Sequence, residues 1–153
     1  MDEIPASADI LFHPIGIIHT PFTEREGTPI QASRSETRGS VDIFPGFGQG
    51  LQDLEGFSHI FLLYMLHQSS GYSLTVKPFL DNVMHGVFAT RYPDRPNPIG
   101  LSVVKLLVCL GNYLEIEGVD MLDGTPLLDI KPYVADFDLR TNTRSGWYPN
   151  AAK

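Results

Sequence analysis

The 153-residue sequence contains no apolar run approaching the roughly 20 residues that a membrane-spanning helix needs. Its opening, Met1-Asp2-Glu3-Ile4-Pro5, lacks the basic stretch of a secretory signal. It holds a single cysteine, Cys109, so no disulfide forms within the chain. A lone thiol in an apolar segment suits a reducing cytoplasm, and core packing rather than nucleophilic chemistry. No Cys/His spacing points to a metal, and none is expected to bind. Positive charge is scarce: 11 Lys and Arg stand against 18 Asp and Glu, a formal net charge of −7. That balance argues against a broad nucleic-acid footprint. It still permits a local basic mouth from Arg25, Arg34, Arg38, Arg91 and Arg95, all in or beside loops. No Gly-x-Gly-x-x-Gly follows a strand, which removes the common doubly wound nucleotide site. No segment sustains a helical period, and neither repeat nor linker divides the chain.

What is present is punctuation: 12 prolines and 14 glycines set between short apolar runs. This pattern predicts an all-β, predominantly β, fold: one small barrel with long loops, at most short helices, and six or more strands. Strands are expected at residues 12–19, 37–44, 57–67, 74–78, 87–90, 101–110 and 113–119. Gly111-Asn112 reads as a hairpin turn and Asp123-Gly124 as a tight turn. Residues 57–67 are so apolar that the strand is expected to be central and covered on both faces. Period two places His59, Phe61, Leu63, Met65 and His67 on one face, with His67 at the rim as the functional candidate. His59 reads instead as a core or barrel-end histidine. The polar segment 20–36, long for so small a domain, reads as a functional flap.

The chain is organised around residues 86–102, and within them Arg91-Tyr92-Pro93-Asp94-Arg95-Pro96-Asn97-Pro98-Ile99-Gly100-Leu101-Ser102. Three prolines in six residues forbid a helix and lock φ. The product is a stiff loop that holds two arginines and a carboxylate at defined spacing between two strands, a usual place for function.

These blocks, with Phe57-Ser58-His59, Leu66-His67-Gln68 and Asp123-Gly124-Thr125-Pro126-Leu127-Leu128-Asp129-Ile130-Lys131-Pro132-Tyr133, resemble the TsaA-like family, which holds TrmO-type tRNA methyltransferases. The resemblance covers residues 15–133. It implies a single domain over residues 1–153, its core about residues 12–134, without the extra carboxy-terminal domain of the bacterial tRNA enzyme. It also implies a cytoplasmic homodimer that binds S-adenosylmethionine near the subunit contact. The methyl group would pass to N6 of threonylcarbamoyl-modified adenosine beside the tRNA anticodon, at position 37. By resemblance the cofactor contacts are Gln31, Ala32, Ser33, Arg34, His67, Gln68, Arg91, Leu101, Asp120, Met121, Leu122 and Asp123.

The residue chemistry agrees with that ligand. The planar fork of Arg91 matches a carboxylate bidentately. Asp120 or Asp123 would accept from ribose hydroxyls or the ammonium, and Leu101 would offer backbone groups and an apolar face to adenine. An N6 bearing a carbonyl substituent is a weak nucleophile, so a nearby base or hydrogen-bond acceptor would help. Asp94, Asp129 and Tyr133 are the candidates, while Arg95 and Asn97 face the substrate. Each has a structural alternative, such as Asp94 pairing with Arg91 or Arg95. Two other functions stay open: methylation of a small molecule by the same barrel, and adenosylmethionine binding for regulation without catalysis.

Overall fold

The computed structural model describes residues 3–25, 27–29 and 35–148. Six strands among these residues close a barrel: β1 (Gly16–His19), β2 (Arg38–Ile43), β3 (His59–Met65), β6 (Ile99–Leu110), β7 (Tyr113–Glu117) and β8 (Thr125–Pro132). Around the barrel the order is β1-β2-β7-β6-β3-β8, every pair antiparallel. A separate ribbon pairs β4 (Thr75–Val76) with β5 (His85–Gly86). The single α-helix described, α1 (Ala135–Asp138), is one turn long. The expected barrel with at most short helices is therefore observed.

Period-two alternation builds the core. Ile60, Leu62 and Tyr64 of β3 point inward and are buried, while His59 and Met65 are exposed. Ile18, Val41, Leu114, Ile116 and Leu127 fill the same interior from the other strands, each fully buried. At this core Cys109 packs half-buried, and burial raises its thiol pKa, as suits a packing residue. Gly111 takes φ +60° in the two-residue link between Leu110 and Tyr113, the hairpin expected there.

Five departures from expectation are observed. β3 is central, between β6 and β8, but its outer face is not covered. Phe61 and Leu63 are half-buried and Met65 is 44% exposed. The first strand begins at Gly16, not at residue 12. The strand expected over 74–78 shrinks to the two residues of β4. Residues 87–90 form no strand: Val87–Ala89 is a 3-10 turn. Its cause is local, because the backbone N–H and the hydroxyl of Thr90 both donate to the Val87 carbonyl, at 3.1 and 2.8 Å. β8 was not expected at all; Pro126 and Pro132 break its strand signature, although Pro126 still pairs with Ile17.

This topology brings three strand ends together: the exit of β3, the entry of β6 and the entry of β8. The opposite end carries His59, whose Nδ1 lies 2.8 Å from the Ser58 hydroxyl.

If β3 divides inside from outside in this way, Leu62→Ala should cost about 2–5 kcal/mol. Met65→Ala should stay within about 0.5 kcal/mol. Urea denaturation of both variants measures the difference, and equal costs would contradict the assigned faces.

Candidate functional site

At that three-strand end lies a cleft of about 1220 Å³. Its floor is a hydrogen-bonded chain. The Ser102 hydroxyl lies 2.6 Å from Asp120 Oδ1 and donates to it. With that proton committed, the Tyr64 hydroxyl, 2.8 Å away, donates to Ser102 Oγ. Burial, then the negative charge of Asp120, raises the Tyr64 pKa far above its ordinary value, so the phenol stays a proton donor at neutral pH. The Tyr64 ring lies directly over Gly100, where an added Cβ would collide with ring atoms. Pro98-Ile99-Gly100-Leu101-Ser102 is thus a tyrosine seat: Gly100 makes room for the ring and Ser102 engages its hydroxyl.

Strand register determines what Leu101 offers. The bonds Leu66 N–H to Pro98 O and Leu106 N–H to Ser58 O show that even-numbered residues of β6 bond to β3. Leu101 and Val103 therefore turn their backbone N–H and C=O the other way. On that side β7 pairs with β6 only from Lys105 onward. A donor and an acceptor of Leu101 are thus presented at a sheet edge, and its side chain is 48% exposed in the cleft. Such an edge matches the paired donor and acceptor of adenine.

The resemblance placed cofactor contacts on several segments, and the fold gathers most of them. His67 and Gln68 line the cleft from the β3 exit, Arg91 from the proline loop and Leu101 from β6. Asp120, Met121 and Leu122 line it from the turn before β8. His67 is held near that turn, with Nδ1 3.4 Å from Thr125 Oγ1, while Thr125 donates to the Leu122 carbonyl at 2.6 Å. Arg91 supplies a cation and Asp120 an anion among apolar side chains, the donor set that a zwitterionic amino acid joined to a nucleoside requires. Gln31, Ala32, Ser33 and Arg34 lie outside the described residues.

Other candidates stand elsewhere. Asp123 does not line the cleft; its Oδ1 accepts from the Thr20 backbone N–H at 3.1 Å and lies 3.3 Å from His19 Nδ1. Asp129 sits on β8 with Lys131 Nζ at 3.2 Å. Tyr133 packs on Phe61 and donates its backbone N–H to His59 O, at the barrel end opposite the cleft. Neither Asp129 nor Tyr133 is brought to the cleft. Arg95 and Asn97 do line it, but Arg95 Nη1 is committed to the loop, donating to Thr90 O at 2.8 Å and Tyr92 O at 3.3 Å.

Asp94 is a clamp behind the cleft. Its Oδ1 accepts from Arg25 Nη2 at 3.0 Å, Ser69 Oγ at 2.9 Å and the Ser70 N–H at 3.3 Å. Arg25 also reaches the Gln68 carbonyl at 3.4 Å. Hydrogen bonding to Arg25 leads the interactions that lower its pKa, so Asp94 is a poor base and a good anchor. The structural alternative for Asp94, an ion pair with a nearby arginine, is met by Arg25. Sequence reading named Arg25 only as part of a basic mouth and missed Tyr64 as a site residue. For Tyr64 the signal was present: a lone hydroxyl in the apolar run 60–66 needs a buried partner.

Two outcomes follow from this geometry. Gly100→Ala should cost about 1–3 kcal/mol by crowding the Tyr64 ring. In a Tyr64→Ala background the same change should cost clearly less, as thermal denaturation will show. The clamp makes Asp94→Asn less stable than the parent. Because the folded pKa is depressed, this difference is fully present above the ordinary carboxylate range and disappears as pH falls through the folded value. Denaturation midpoints between pH 7 and pH 3 measure the convergence.

In sequence and fold the chain is similar to known proteins. Residues 17–139 match the model of the tRNA-methyltransferase O N-terminal domain. A "Probable S-adenosyl-L-methionine-binding protein" of Pyrococcus abyssi is 56% identical over 139 residues, covering 90% of this chain and 76% of that protein. The mouse tRNA (adenine(37)-N6)-methyltransferase is 40% identical over 144 residues, 89% of this chain but 33% of its own length. The crystal structure of TrmO from Pseudomonas aeruginosa superposes with a TM-score of 0.77 at 39% identity, covering 91% of this chain and 62% of that one. Motif and barrel thus converge, and the chain belongs to the tRNA-methyltransferase O N-terminal domain family.

Proposed function

We propose that this protein binds S-adenosylmethionine in the cleft and transfers its methyl group to N6 of modified adenosine 37 in tRNA. One observation carries the reading: seven positions that resemblance assigns to the cofactor, drawn from four separate stretches of chain, line one cavity. Arg91 holds the cofactor carboxylate, Asp120 faces its positive groups, and the unpaired edge of Leu101 meets adenine. The cofactor supplies an electrophilic methyl when bound. The protein's contribution is to fix the acceptor in line with it, since displacement at a methyl carbon depends mainly on positioning.

The active form is a cytoplasmic homodimer in this reading. On the barrel exterior Phe61, Leu63 and Met65 lie opposite Val103, Leu101 and Ile99. The exposed members include Met65, Ile99 and Leu101, an aliphatic stripe that runs into the cleft and suits a second copy. No helix among the described residues is long and apolar enough to cross a membrane.

Incubation with radiolabelled cofactor and total tRNA tests the activity. Label in tRNA is expected; label only in small metabolites, or binding without transfer, would replace it with one of the two other functions. Within the site, Arg91→Ala should weaken cofactor binding about tenfold by calorimetry, the loss of one charge-assisted contact. Arg91→Lys should recover part of it, since a point charge lacks the fork. Arg95→Ala should chiefly lower stability, because Arg95 caps loop carbonyls. A larger cofactor loss in Arg95→Ala than in Arg91→Ala would reverse the assignment.

A further inference from the structure

The cleft has two kinds of wall. The cofactor positions form one. The other is aromatic and has no function in anything above. Phe79 and Tyr92 both line it and stack on each other, ring centroids 5.2 Å apart with planes 25° from parallel. Phe79 nevertheless remains 62% exposed, and neighbouring Phe88 is 75% exposed. The wall is rigid. Trp147 donates its indole N–H to the Ala89 carbonyl at 2.8 Å and stacks on His85 at 4.8 Å. His85 is itself fixed by Asp81, 2.6 Å away.

The cleft is larger than a typical single-ligand pocket. A single bound small molecule typically occupies a pocket of about 300–1,000 Å³, and this cleft has about 1220 Å³. The chemistry of the free wall selects what enters. Charge pairing with phosphates is a weak candidate in a chain of net charge −7 whose Arg25 and Arg95 are already committed to the protein. Aromatic faces presented to water match a planar π-system instead. Bases expose their faces only where RNA is unpaired, and stacking there tolerates any base. A second copy of the chain is the poorer fit, because its aliphatic counterpart surface lies on the outer faces of β3 and β6.

We propose that the Phe79–Tyr92 stack is a platform for an unpaired RNA base, either the methyl acceptor or its immediate neighbour. This rests on the tRNA reading above and assigns a base-stacking subsite within it.

The test uses an anticodon stem-loop RNA with 2-aminopurine beside position 37, titrated into the full chain at saturating S-adenosylmethionine. Stacking should quench the fluorophore. Phe79→Ala should weaken stem-loop binding about tenfold or more, abolish the quench, and leave cofactor affinity unchanged by calorimetry. Phe79→Trp should restore both binding and quench, which a merely structural role would not allow. The salt dependence of binding should have the same slope in parent and Phe79→Ala, because no phosphate contact is removed. If the parent methylates tRNA but Phe79→Ala binds the stem-loop normally, the platform is wrong and the enzymatic reading stands. If Phe79→Ala loses RNA only because light scattering shows the oligomer dissociating, the wall is a copy-to-copy contact and the platform is overturned. If the parent neither binds nor methylates RNA, the tRNA reading itself fails.

Discussion

The cleft depends on one contact: the Tyr64 ring laid over the bare backbone of Gly100, its hydroxyl donating to Ser102. Tyr64 belongs to the barrel interior by its burial and to the cleft by its position. Through Ser102 the same chain reaches Asp120, the carboxylate at the turn before β8. Barrel packing and cleft geometry are therefore one set of constraints. A buried phenol without its partner would leave an unsatisfied donor, costing about 1–3 kcal/mol, so the arrangement has little freedom to drift.

The scarcity of positive charge shapes what surrounds that contact. Arg95 bonds to two backbone carbonyls and Arg25 bridges Asp94 to the Gln68 carbonyl. Two of the few cations thus organise loops. Asp94 joins the proline loop to the residues just after β3, so the segments bearing Arg91 and His67-Gln68 are held relative to each other. Proline rings stiffen the loop locally, while these hydrogen bonds orient it globally.

Two titratable groups at the cleft are committed to their neighbours. Asp94 is stabilised as a carboxylate and Tyr64 as a phenol, and both are occupied by neighbours. Asp129 and Tyr133 are placed away from the cleft. Of the titratable side chains, His67 and Asp120 line the cleft together with Tyr64.

Much of this was legible in the residues. Period-two alternation, Gly/Pro punctuation and the absence of helical periodicity determined a β-barrel, because side chains on a strand must alternate between core and solvent. The density of special residues in 91–102 marked the candidate loop, since three prolines in six residues constrain a backbone, although the reason for Gly100, the Tyr64 ring above it, was not visible. The sequence could not decide which apolar residues of β3 face outward. Both faces are apolar, and only the closed sheet distinguishes inside from outside. It suggested a strand at 87–90, where the Thr90 hydroxyl instead closes a turn, a competition invisible to propensity. Nor could it choose among Asp94, Asp129 and Tyr133. Acidity is a residue property, but access to a cleft depends on which strand ends the barrel brings together, and that is decided by long-range pairing alone.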